Sequence, residues 1–395
     1  MSAPPPLITR EFLLLVAGHF LQALGFASLL LLPVYLDHLG ATRAEIGALM
    51  ALSAVGGLAT RPVVGWALDT WGRKPTLLAG TAVLVIAMVG LVAVRDLGPA
   101  IYVDRLLFGV GGGTLFTGYF TWASDVIPPA RRTEGIALFG ASGLAPMALN
   151  AFAGELELPP AQLPYLFAGL GGVIALSALA LAALPEPGRA RPEAAPPAAR
   201  VRDLLRALAS RPLWPVWGAT VLFACLVGVF LTFATVTAAG RGIANPASVW
   251  GTYAAGAIGL RLLGARVLDR LGPPNLVAPA LALYLGALVV LAGAADSGAL
   301  LTAGLLAGLG HGACFPVVVS LVVTRAPERW RGSAMSAFTA TWQATELVLP
   351  PLFGLLADAH DDAVMYAGAV AATLGGLAAW AALERAVGQA RPAIG

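Results

Sequence analysis

Arg61, Asp69 and Gly72, set in ATRPVVGWALDTWGRKP, recur 200 positions later as Arg261, Asp269 and Gly272 in GLRLLGARVLDRLGPPN. Each copy closes a long apolar run, so the chain reads as a duplication of a unit made of apolar helices. The repeat extends further: LLFGVGGGTLF at 106–116 is matched by LLAGLGHGACF at 305–315. The basic loops RRTEG at 131–135 and ERWRG at 328–332 also fall at the same relative place.

With 58% hydrophobic and 11% charged residues, a soluble fold of 395 residues would be covered in exposed apolar surface, so the solvent is mostly lipid. Gly, Pro and charge clusters divide the chain into runs that each reach the roughly 20 residues a spanning helix needs. Six lie at 12–36, 44–68, 76–94, 100–123, 136–154 and 163–184. Six more lie at 213–238, 248–268, 275–295, 299–323, 333–357 and 363–383. The expected fold is an all-α membrane protein, with 12 transmembrane helices in two pseudo-symmetric six-helix bundles at 1–184 and 212–395. Six spans per half keep equivalent helices pointing the same way, so the halves are parallel repeats about an axis normal to the membrane.

The first run is too long for the apolar core of a cleavable signal and is followed at once by another span, so it is expected to remain in the membrane. Cys225 and Cys314 both lie inside apolar runs, as packing residues rather than a disulfide or metal framework. The net charge of +3 comes from basic residues at helix ends, which orient a membrane protein and do not point to nucleic acid. Of 24 Lys and Arg, eighteen fall on the side that holds the N-terminus. Three lie opposite (Arg43, Arg95, Arg241) and three lie within spans (Arg61, Arg105, Arg261). Both termini are therefore expected in the cytoplasm, with the chain multi-pass in the inner (plasma) membrane. The segment 185–211 is a cytoplasmic linker with a Pro/Ala-rich first part. Its second part, VRDLLRALAS, sets Val201, Leu204, Leu205 and Leu208 on one helical face and Arg202, Asp203 and Arg206 opposite, which suits the membrane surface.

GWALDTWGRKP, at 65–75, resembles the cytoplasmic loop signature of the major facilitator superfamily, with Gly65, Asp69, Gly72 and the basic pair Arg73 and Lys74 in place. Span four adds Arg105, Gly109, Gly111 and Gly113, similar to the arginine-then-glycine signature of many proton-coupled members. GASGLAPMALN, at 140–150, resembles the Gly-Pro signature of the superfamily's antiporters. It departs from it at Ala145, before Pro146, and at Leu149 and Asn150, where a glycine pair stands in the family. The resemblance covers nearly the whole chain and implies a 12-helix transporter like the drug/proton antiporter efflux members.

Asp69 ends an inward-running helix, and such a carboxylate can face the free N–H groups at the start of span eleven, near Gly332 and Ser333. Arg73 can hold that carboxylate and Gly72 permits the turn. With the second copy at Asp269, the segment reads as a gate; the plain alternative is a solvated turn. Arg61 and Arg261 lie two turns earlier, where they face the bundle interior or snorkel to the cytoplasmic surface.

Ionisable groups near mid-membrane are functional candidates, because a charge there is expensive. Glu346, about halfway along span eleven, is a candidate proton carrier or partner for a cationic substrate; the alternative is a carboxyl satisfied by Gln343 or Thr345. His311 in span ten, and His19 with Gln22 one turn on in span one, are either proton or substrate groups or core histidines. The resemblance makes Arg105 a coupling residue; beside Asp104 it can equally be one half of an interfacial ion pair. The span-four glycines allow close helix approach or a wide cavity wall. Phe20, Tyr119, Phe120, Trp122 and Trp342 could line an amphiphile's site, and Trp342 is one turn from Glu346.

No P-loop, Gly-x-Ser-x-Gly or metal-binding spacing suggests an ATPase, hydrolase or metalloenzyme, and no cofactor is implied. The sequence points to alternating access in a monomer whose partners are protons, a small-molecule substrate and the lipid bilayer. Proton-coupled export of a small amphiphilic compound or drug leads. Proton-coupled uptake of a sugar or organic acid is the alternative within transport, and a lipid flippase or channel-like protein the alternative outside it.

Overall fold

The computed structural model describes residues 6–128, 131–186, 197–263, 273–327 and 331–389. The first half runs α1 (Arg10–His38, with one 3-10 turn at Leu29–Leu31), α2 (Arg43–Thr70), α3 (Arg73–Gly90), α4 (Pro99–Val126), α5 (Arg132–Leu144), α6 (Leu149–Glu155) and α7 (Pro160–Ala183). After α8 (Pro197–Ala209) come α9 (Trp214–Gly240), α10 (Val249–Leu263), α11 (Pro273–Ala292), α12 (Ser297–Arg325), α13 (Arg331–Ala359) and α14 (Asp362–Gln389).

Eight helices among the described residues are long and apolar enough to cross a bilayer: α1, α2, α3, α7, α9, α11, α12 and α14. On that criterion the count is eight, where the sequence led to twelve. The runs expected as spans four, five, eight and eleven are helical too, as α4, α5 with α6, α10 and α13. α5, α6 and the described part of α10 are each shorter than a span, whereas α4 and α13 are long enough but carry polar and small residues, among them Asp104, Arg105, Gln343 and Glu346.

Helix ends lie beyond the apolar runs because polar side chains cap them. Thr42 and Glu45 form a reciprocal box at the start of α2, and the Asp296 side chain accepts from the Ala299 N–H at the start of α12. At the end of α11, Arg241 Nη1 and Nη2 donate to the carbonyls of Leu291, Ala292 and Ala294 at 2.7–3.0 Å. The linker helix α8 packs against α13, with Ala207 buried and Leu205 and Leu208 exposed.

The sequence repeat is also a packing repeat. A Cβ on Gly109 of α4 would strike the Ser53 carbonyl of α2, and one on Gly308 of α12 would strike the Tyr253 carbonyl of α10. Gly56 meets the Leu106 carbonyl in the first half, as Gly256 meets the Leu305 carbonyl in the second. The span-four glycines thus serve close approach, which lets backbones without side chains between them gain dispersion contacts in lipid. Gly109→Ala should lower the thermal midpoint of the protein in detergent. The better helix propensity of Ala is worth at most about 1 kcal/mol, while overpacking against a rigid carbonyl costs about 1–3 kcal/mol. Gly169→Ala, at a helical site with nothing within 4 Å, is the control and should be neutral or stabilising. Equal midpoints for both variants would sink this account.

The halves meet chiefly along α2 and α13, with α10 against the 3-10 turn Ala145–Ala148 and α9 against the outer part of α1. Gly47 of α2 lies against the backbone of Pro350 and Pro351, which sit inside α13.

Candidate functional site

Glu346 lies about 20 Å from either end of α13 at the helical rise. Trp342 stands one turn earlier on the same helix. The partners expected from sequence are otherwise engaged: the Thr345 hydroxyl donates to the Thr341 carbonyl at 2.8 Å, and Gln343 Oε1 is buried with no hydrogen-bond partner. Glu346 forms no ion pair among the described residues. His311, Trp342 and Glu346 do share one region of the second half. The His311 ring packs against Phe223, Tyr253 and Phe315 at 5.3–6.0 Å, and Trp342 against Phe223, Phe315 and Phe338 at 5.0–6.2 Å. Tyr253 Oη holds His311 Nδ1 at 2.7 Å.

His19 forms a second cluster, in the first half. Ser142 spends its proton on the Phe139 carbonyl at 2.6 Å, so its 2.7 Å contact with His19 Nδ1 makes that nitrogen the donor and Nε2 the acceptor. The ring stacks on Phe139 at 4.3 Å and meets Tyr119 at 5.4 Å and Phe120 at 5.8 Å. Gly18 leaves room for the Tyr119 hydroxyl and Gly143 for the imidazole. Gln22 is buried one turn further along α1, and Trp122 is sealed in the core. Asp104 and Arg105 lie apart from both clusters. They form a fully buried pair at 3.8 Å, with Arg105 over the Phe108 ring and Asp104 beside Gly90 of α3. Both Asp104 oxygens and Arg105 Nε and Nη1 lack hydrogen-bond partners.

Arg61 and Arg261 turn into the face between the halves rather than to the cytoplasmic surface. Arg61 Nη1 donates across it to Thr339 Oγ1 at 2.7 Å. Arg261 stands over the Phe315 ring at 5.8 Å with Nη1 beside Gly140 of α5. At the inner end of α2, Arg73 lies 3.6 Å from Asp69 and donates to the Asp125 carboxylate and the Leu68 carbonyl. Gly72 takes φ of +110°, a backbone that favours glycine. The Glu186 carboxylate accepts from the Arg73 and Lys74 N–H groups, capping α3. Among the described residues Arg73 is the charged partner of Asp69. Gly65 faces open space, and nothing in the structure explains it. Asp269 and Gly272 lie outside the described residues.

The end of the inter-half face where α2 begins holds contacts that sequence reasoning missed. A helix start leaves four N–H groups without partners. At α2 two are met locally, and the other two, Arg43 N and Ala44 N, donate to the two oxygens of Asp358 from the end of α13, at 2.7 and 2.8 Å. The Arg43 guanidinium reaches Asp37 at 2.5 Å and Asp362 at 3.1 Å, and Asp362 also accepts from Thr237. Asn245 of the second half donates to Ala151 O and Glu155 of the first. Asp37, Arg43, Thr237, Asp358 and Asp362 line a cleft of about 550 Å³ together with Asp361 and Arg241. The signal in the sequence was a cluster of acids, Asp358, Asp361 and Asp362, on a side with few basic residues.

The sequence pattern of the Major Facilitator Superfamily matches residues 14–345 and 247–393. An uncharacterized MFS-type transporter of Burkholderia mallei (strain SAVP1) is 28% identical over 352 residues, covering 86% of this chain and 83% of its own. One from Pseudomonas aeruginosa (strain LESB58) is 27% identical over 366 residues, covering 90% and 89%. Among solved structures, the nucleoside transporter NupG superposes with a TM-score of 0.77 at 16% identity, covering 95% of this chain and 99% of that one. A POT family transporter in complex with a thioalcohol-conjugated peptide gives 0.79 at 11% identity, covering 96% of both. At these identities the structural likeness concerns the fold.

Proposed function

We start from membership: the chain belongs to the Major Facilitator Superfamily, and we propose that it exports a small amphiphilic organic compound against a counterflow of protons. It is a membrane transporter and not an enzyme. The observation that carries the proposal is Glu346, a carboxyl midway along an interfacial helix and one turn from Trp342, without an ion-pair partner among the described residues. A buried carboxyl of that kind binds and releases protons in step with its access to water. The aromatic side chains around it suit an apolar body.

Alternating access is supported by the asymmetry of the two ends. Asp358 and Arg43 join the halves on the outer side, while Asp69 on the inner side is held by Arg73 of its own half. We read this as the inward-facing state, with 1–184 and 212–395 as the two rocking bundles and Asp69 as the inner gate that docks on the start of α13 when the protein turns outward.

Transport into proteoliposomes with an imposed pH gradient tests the reading, with internal pH recorded while dyes, sugars and lipids are offered. The expected result is a saturable flux of an amphiphile with opposite proton movement. Flux without saturation or pH response, or pH-driven uptake of a sugar, would overturn it.

A further inference from the structure

Arg61 and Arg261 occupy equivalent places in α2 and α10, 200 positions apart, and each guanidinium points across the face between the halves. Their partners differ. Arg61 meets Thr339 of α13, whose hydroxyl donates to the Met335 and Ser336 carbonyls and keeps a lone pair for the arginine. The α5 residue that faces Arg261 is Gly140, which has no side chain, while Ser142, the counterpart of Thr339 in the repeat that pairs RRTEG with ERWRG, spends its hydroxyl on Phe139 and His19. Arg261 is left with the Phe315 ring, and its Nε is buried without a hydrogen-bond partner. No carboxylate among the described residues comes within ion-pair distance of either arginine. Glu346, one turn beyond Trp342 on α13, forms no ion pair with Arg261.

A guanidinium buried at this depth is costly unless an anion pairs with it. Its planar fork matches a carboxylate or phosphate with two parallel hydrogen bonds. Resting on the export reading above, we propose that the substrate is a small organic anion. Its carboxylate or phosphate docks on Arg261 beside Gly140, and its apolar or ring-bearing body lies along Phe315, Phe338 and Trp342. Arg61, already spanned to Thr339, is the structural copy, and Arg261 is the recognition copy.

The test is equilibrium binding to the purified full chain in nanodiscs, with four matched probes: 1-naphthoate, 1-naphthyl phosphate, 1-naphthylmethylammonium and the uncharged 1-naphthamide. The wild type should prefer the anions. Arg261→Gln should weaken anion binding by about tenfold or more, a charge-assisted pair being among the stronger hydrogen bonds, and should leave the amide unchanged. Gly140→Thr places a hydroxyl beside Arg261, and within 4 Å its Cβ meets Arg261 Nη1 alone, so the fold tolerates it. It should weaken anion binding several-fold by engaging the guanidinium. Preference for the ammonium probe, failure of the folded wild type to bind either anion, or unchanged anion affinity in both variants would overturn the proposal. Anion binding that depends on Arg261 in a protein without pH-driven flux would sink the export reading and leave this site standing. Coupled export of a cation with no role for Arg261 would do the reverse.

Discussion

Replacing Glu346 by Gln abolishes transport driven by a pH gradient while leaving substrate-for-substrate exchange measurable. Glutamine keeps the shape of the protonated carboxyl, so the helix has no packing reason to rearrange. What is lost is the only carboxyl that lies near the middle of α13, and with it the proton that must accompany the return of the empty carrier. A drop of about tenfold or more in gradient-driven flux, with exchange reduced far less, separates loss of coupling from loss of a general binding contribution. An unchanged pH profile in this variant would leave Glu346 a structural carboxyl. Coupling would then pass to His311 or to Asp104 with Arg105, which also lie inside spans.

Asp358→Asn opens the outer side. Both carboxylate oxygens accept backbone N–H groups at the start of α2, and asparagine offers one acceptor and turns an NH2 donor toward the second N–H. The unsatisfied N–H costs about 1–3 kcal/mol, and removing a charge from a helix amino end adds about 0.3–1 kcal/mol. Since about 1.4 kcal/mol is a tenfold change in population, the outer-closed state should lose its dominance. Spin labels on the outer ends of α2 and α13 should report a longer, broader distance distribution. Labels at the inner ends should draw together as Asp69 becomes free to dock. Distances identical to wild type at both ends would mean that Asp358 is a cap and not a gate.

The sequence made the helices legible because lipid demands long apolar runs, and it placed their middles well. Their ends escaped it. Arg43 and Asp362 read as loop charges, whereas Asp358, 315 residues away in the chain, completes the first turn that Arg43 begins. The outer contacts were invisible for the same reason: Asp358, Arg43 and Asn245 have ordinary sequence surroundings and acquire meaning only across the inter-half face. Glu346 and His311 were legible because an ionisable group in an apolar run stands out, and they do share a site with Trp342. Tyr253 and Phe223, which complete it, look like any aromatic residue of a membrane helix. The duplication exposed the two arginines, but only the structure distinguishes them, through the threonine that faces one and the glycine that faces the other.

Pro350 and Pro351 lie inside α13 one turn beyond Glu346. Having no N–H, they leave the carbonyls of Glu346 and Leu347 without their usual donors four residues on, so two consecutive rungs of the helix are missing between the coupling carboxyl and the Asp358 latch. A rod that lacks two rungs is an articulated one. The outer third of α13 can swing at this joint while the inner part keeps its grip on Arg61 through Thr339. Relaxing the joint changes the backbone at Glu346 itself, so under the proposed coupling a proton arriving at Glu346 and a release at Asp358 would be felt through the same two missing bonds.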